Sequence, residues 1–107
     1  MSIAGKKLKE LFDRIPRRHS ADNVKDIYAI LDEYENVLQD IEREKKYEQQ
    51  VAPFFDALDP IRATIKKSSD NKASKKMKDH LFDEASGALK DTMEELMEMY
   101  SNEHNGQ

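Results

Sequence analysis

Val24, Ile27, Leu31, Tyr34, Leu38 and Ile41 recur at spacings of 3, 4, 3, 4 and 3 inside an acidic stretch that runs from Ser20 to about Gln50. That is the a/d repeat of a coiled-coil-like helix, which buries one narrow apolar seam against other helices. The positions between are nearly all polar or charged, so the helix holds only if its seam finds a partner. Ser20 is placed to cap it, and Asp22 and Asp26 lie near its positive end, where carboxylates stabilise it.

From Glu42 to Lys46 the repeat is interrupted by Glu-Arg-Glu-Lys-Lys, and it resumes out of phase with Tyr47, Val51, Phe54, Leu58, Ile61 and Ile65. Either one long helix rotates its buried face or a break near residues 43–52 starts another. Pro53 and Asp59-Pro60 both favour a kink or a new start, since proline lacks the amide hydrogen that a helix interior requires. A bent helical segment is therefore expected over about 52–67. Residues 68–74 (Ser-Ser-Asp-Asn-Lys-Ala-Ser) are polar turn formers and read as a loop. Beyond them Leu81, Ala85, Leu89, Met93, Leu96 and Tyr100 draw a second long stripe, broadened by Phe82, Ala88 and Met97. Gly87 interrupts it, and close helix–helix approach is the common reason for such a residue. At the other end of the chain Leu8, Leu11, Phe12 and Ile15 mark a short amphipathic helix that Pro16 stops.

The pattern predicts an all-α fold, a small antiparallel helical hairpin or bundle. It has two long helices at about 20–50 and 75–100, a short N-terminal helix and a Pro-kinked middle helix. Residues 1–101 read as a single helical domain and 102–107 as a frayed tail. The apolar and charged shares are equal at 37%, so the core is lean, and a second copy or a partner is a natural way to complete it.

The 107 residues include no Cys, which excludes disulfides, thiolate nucleophiles and Cys-based zinc sites. Glycine occurs only at positions 5, 87 and 106, too sparsely for a phosphate-cradling loop. His19, His80 and His104 form no H-E-x-x-H motif. His80 and Glu84 stand one turn apart, yet the residue three before His80 is Met77, where a di-iron bundle places a glutamate. No catalytic residue, metal or cofactor is expected, and the chain reads as non-enzymatic. No apolar run approaches the roughly 20 residues needed to span a bilayer; a cytoplasmic protein without membrane partners is the expectation.

Charge is distributed in blocks. Residues 1–18 carry six basic and two acidic groups, residues 19–60 four and eleven, residues 61–80 seven and two, and residues 81–107 one and seven. Two functional expectations follow. The first is a protein–protein interaction module, an adaptor, chaperone-like factor or small inhibitor, acting through its helix seam, with homodimerisation one form of that association. Leu38, Ile41, Tyr47, Val51, Phe54 and Phe55, where the seam changes phase, are the candidate contact residues. The alternative is a nucleic-acid-binding accessory protein using Arg62, Lys66, Lys67, Lys72, Lys75, Lys76 and Lys78, a cluster able to meet phosphates. The competing role for that cluster is neutralisation of the acidic helix beside it.

Overall fold

The computed structural model describes residues 3–105, with side chains described for residues 4–100. Four α-helices account for nearly all of it: α1 (Ile3–Arg14), α2 (Ala21–Glu42), α3 (Glu48–Ser68) and α4 (Lys75–Asn105). No strand occurs among the described residues. The all-α bundle is thus the fold. Each helix packs on the next and α4 closes back on α1, giving an up-down-up-down bundle 51 × 22 × 18 Å in extent.

Helix α2 begins as its sequence dictates. Ser20 is extended (φ −160°, ψ 161°) and its side chain accepts from the Asn23 amide at 3.0 Å, satisfying one of the orphan donors of the first turn. Its buried face is Ile27, Ile30, Leu31, Tyr34, Val37, Leu38 and Ile41. This stripe is wider than the a/d seam, because α2 packs on both α1 and α3. The break in the repeat is real: α2 ends at Glu42, Glu44 is extended (φ −81°, ψ 109°), and a single 3₁₀ turn at Lys45–Tyr47 leads into α3. Five successive charged side chains have nothing to bury, so the chain reverses there, and Tyr47 re-enters the core fully buried.

Helix α3 is 21 residues long, nearly matching α2, and contains both Pro53 and Pro60. The prolines are seven residues apart on the exposed side, as are Gln49 and Asp56, whose carbonyls lose a helical donor and can turn to water. The helix therefore starts earlier than the prolines suggested. Helix α4 continues to Asn105, so residues 102–105 of the expected tail have helical backbone, while residues 106 and 107 lie outside the described residues. A Cβ on Gly87 would meet nothing within 4 Å. This glycine faces open space and does not serve close packing, contrary to the expectation.

Leu8 and Leu11 of α1, Ile15 just beyond it, the α2 stripe, Val51, Leu58, Ile61 and Ile65 of α3, and Phe82, Leu89, Met93 and Leu96 of α4 form one continuous core. Within it Tyr34 Oη and Thr92 Oγ1 share a buried hydrogen bond at 3.2 Å. Burial pushes the Tyr34 phenol up to about 12; the bond to Thr92 opposes this and the Glu95 carboxylate adds to it.

Candidate nucleic-acid interface

An up-down-up-down bundle places its first and third connections at the same end. Here these are residues 15–20 and 69–74, and three contacts pin the first of them against α4 and the start of α2. The Ser86 hydroxyl donates to the Pro16 carbonyl at 2.9 Å, the His19 ring meets Phe82 edge-on at 5.9 Å, and Asn23 Nδ2 donates to the Arg18 carbonyl at 2.8 Å. Arg17 and Arg18 are exposed beside that stretch of α4. Lys75, Lys76 and Lys78 precede Phe82 by seven, six and four residues, so on a rise of 1.5 Å per residue they lie about 6–11 Å farther along the axis.

The second connection is built tightly. The Asp70 amide donates to the Lys67 carbonyl at 3.2 Å and the Ala73 amide to the Asp70 carbonyl at 3.0 Å. Asp70 Oδ1 accepts from the Lys72 amide at 3.0 Å, an Asx turn of the kind short polar residues favour. Ser74 caps α4, its hydroxyl accepting from the Met77 amide at 3.1 Å. Ser68, fully buried, returns its hydroxyl to the Ile65 carbonyl at 2.6 Å. Lys66, Lys67, Lys72, Lys75, Lys76 and Lys78 are thus carried on the last turn of α3, an ordered turn and the first turn of α4.

The seven basic residues of this block divide into two roles. Arg62 sits lower on α3 and forks across to α2, Nη1 reaching Asp32 at 3.1 Å and Nη2 reaching Glu35 at 2.9 Å. Charge neutralisation of the acidic helix therefore describes Arg62. Among the described residues the six lysines form no ion pair. Five of them are exposed and Lys78 is half-buried. The two acids of the block are Asp70, engaged by its own turn, and Asp79. Met77, in the midst of the lysines, is 50% exposed, the exposed large hydrophobic of the described chain.

The seam residues take a different place. Leu38, Ile41, Tyr47 and Val51 are fully or almost fully buried within the single chain, the Tyr47 ring lying tilted against that of Tyr100 with centroids 5.4 Å apart. Phe54 and Phe55 are half-buried against the core. A partner could touch the two phenylalanines without disturbing the bundle, whereas reaching the other four requires the helices to part.

On the flank, Lys7 and Arg14 of α1 both grip Glu33, at 3.3 and 3.1 Å. The Arg14 hydrogen bond chiefly, with Lys7 assisting, holds that carboxyl below its ordinary value against a smaller opposing effect of burial. An open groove of about 670 Å³ lies where α1 runs out along α2, with Val37, Ile41 and Tyr100 at its base and Glu33, Asp40 and Glu44 around it. His80 Nε2 stands 3.9 Å from Glu84 Oε2, both side chains exposed. No group of three or more His, Asp or Glu converges among the described residues, and no helix among them is long and apolar enough to cross a membrane.

No protein-family model matches the chain, and neither does any curated protein or solved structure. Its function must be argued from the side chains themselves.

The sequence left open whether Arg17 and Arg18 join the basic block, which depends on the first connector lying near it, and nothing in it marked the buried hydroxyls of Ser86 and Thr92. The first follows from counting helices, since four in alternation bring odd-numbered connections together. The second carried no usable sequence signal, as Ser and Thr on a helix are ordinarily exposed.

Proposed function

We propose that this chain is a non-enzymatic, cytoplasmic binding module, an accessory protein that holds nucleic acid by its phosphates on the lysine-bearing end of the bundle. The observation that carries this reading is the split in the basic block. Arg62 is paired with Asp32 and Glu35, while six lysines on and around the connecting turn have no carboxylate partner among the described residues, and five of them are exposed. Three of them stand at the positive end of α4, where cations work against the helix dipole. Such an arrangement costs folding stability and is relieved by an external anion. Lysines on flexible stems are point charges that suit phosphate backbones and carry no base code, so the binding expected is insensitive to sequence.

The test is a fluorescence anisotropy titration of a generic labelled duplex at several salt concentrations. With about five phosphates neutralised, the logarithm of affinity should fall with the logarithm of salt at a slope near −4.5, or roughly 500-fold between 50 and 200 mM. A duplex that is not bound at 50 mM salt, or is bound without salt dependence, would refute the reading.

A second reading, contact with another protein or a second copy of this chain, rests on the adjacent Phe54 and Phe55, which are large, aromatic and half-buried. Light scattering on the wild type and on Phe54→Asp decides it. An oligomer that dissociates in the variant supports this reading, and a wild-type monomer refutes the homodimer.

A further inference from the structure

We infer that the bundle docks on duplex nucleic acid end-on, its long axis directed toward the duplex, with a footprint set by the width of the bundle. This rests on the phosphate-binding reading above and specifies its ligand and geometry. Three features of the molecule lead to it.

The first is how cations divide between tip and flank. Lys7, Arg14 and Arg62 project from the sides of the bundle, and each is engaged by a carboxylate of α2. Lys46 and Lys90 lie over the rings of Tyr47 and Phe12, at 5.1 and 5.3 Å. The flanks otherwise lean acidic: Asp32, Glu35 and Asp40 from α2, and Asp91, Glu94 and Glu95 from α4, are exposed or half-exposed, alongside the exposed Lys6 and Lys9 of α1 and Lys25 of α2. A polyanion laid along the 51 Å length of the bundle would face these carboxylates. One brought to the tip meets the six unpaired lysines and, from the neighbouring connection, Arg17 and Arg18.

The second is the breadth of the tip. Its cations come from the end of α3, the turn, the start of α4 and the connection before α2, so they cover a face and do not follow a line. A duplex offers phosphates on two strands across a groove, at one charge per about 1.7 Å of axis, and so matches a face. A single strand offers one row.

The third is rigidity. Both connections are fixed by hydrogen bonds to caps, to α4 or within their own turn. The lysine backbone positions are therefore set before binding, which suits a ligand that is itself stiff.

The geometry gives a number. The cross-section of 22 × 18 Å covers about five to six base pairs at 3.4 Å each, whereas docking along the 51 Å axis would cover about 15. Anisotropy titrations of the intact chain at about 50 mM salt, with labelled 10- and 20-base-pair duplexes and a 20-nucleotide single strand, separate the cases. End-on docking predicts that the two duplexes bind within about threefold of one another once the number of available registers is divided out, and that both bind more tightly than the single strand. A 10-base-pair duplex weaker by more than about tenfold per register would overturn the end-on geometry while leaving nucleic-acid binding intact. A single strand bound more tightly than the 20-base-pair duplex would overturn the choice of ligand. Absence of binding to all three would remove the phosphate-binding reading itself. Binding of polyglutamate in that event would assign the tip to an acidic protein.

Discussion

Replacing Tyr34 by phenylalanine should change the sign of its effect on stability as the pH is raised. Tyr34 is fully buried and its hydroxyl has Thr92 Oγ1 as partner at 3.2 Å. Near neutrality the substitution removes one hydrogen bond between buried hydroxyls, a loss of about 1 kcal/mol. At high pH the phenol acts the other way. Its folded value is raised from 10.0 to about 12, so the folded chain retains a proton that the unfolded chain gives up from pH 10 onward. Stability is whole below pH 10 and declines as the pH climbs through about 12, by about 3 kcal/mol for the two-unit gap. The phenylalanine variant has no phenol to ionise and escapes that decline. Tyr34→Phe should therefore be less stable than wild type by about 1 kcal/mol at pH 8, match it near pH 11, and exceed it above. Urea unfolding followed by far-ultraviolet circular dichroism, on both proteins from pH 8 to 11.5, measures the difference. A difference that stays constant over that range would show that the Tyr34 phenol is not held neutral by burial, and that the buried contact of Tyr34 with Thr92 of α4 does not form. A companion cycle tests the pair directly: Thr92→Val strands the phenol hydroxyl at a cost of about 1–3 kcal/mol, and the double variant should cost less than the two singles together.

Two further outcomes follow from particular residues. Gly87→Ala should raise stability by about 1 kcal/mol, visible as a higher thermal midpoint, because the added methyl meets nothing and alanine is the better helix former; a lower midpoint would mean that α4 is packed at that point. Glu33→Gln should flatten the acid limb of stability. The Glu33 value is depressed below 4.5 when folded, so its contribution is present above 4.5 and is lost as the pH falls below that toward the folded value. Identical acid limbs in the two proteins would show that the Lys7–Glu33–Arg14 cluster does not form.

The helices were legible because their seams are. The a/d run from Val24 to Ile41 defined α2, the turn formers at 68–74 separated α3 from α4, and Pro16 closed α1. Ile30 and Val37, seven residues apart, went unread as core because one seam accounts for one neighbour; α2 has two neighbours, and its second face becomes visible only once α1 is docked. Pro53 and Pro60 misled for a related reason. Proline is excluded from a helix by its missing donor, and nothing in the local sequence says that the deprived carbonyls face water. The candidate site divides in the same way. A cluster of seven basic residues stands out in a string of letters, but which of them a carboxylate already holds depends on the pairing of α3 with α2. That pairing takes Arg62 and leaves the lysines. The phase change at residues 42–47 marked a chain reversal, and the reversal buries Leu38, Ile41, Tyr47 and Val51 inside one chain.

A single titration decides between the lysine tip and the phenylalanine pair as the working surface. One labelled 20-base-pair duplex is titrated at about 50 mM salt with wild type, the Lys75→Glu/Lys76→Glu double variant and Phe54→Asp, all shown by circular dichroism to be folded. If the tip holds phosphates, the double variant loses affinity by at least about tenfold and its salt slope falls by about 2, while Phe54→Asp binds as wild type does. Equal binding by wild type and the lysine variant would contradict the proposal, and loss of binding in Phe54→Asp alone would move the working surface to α3.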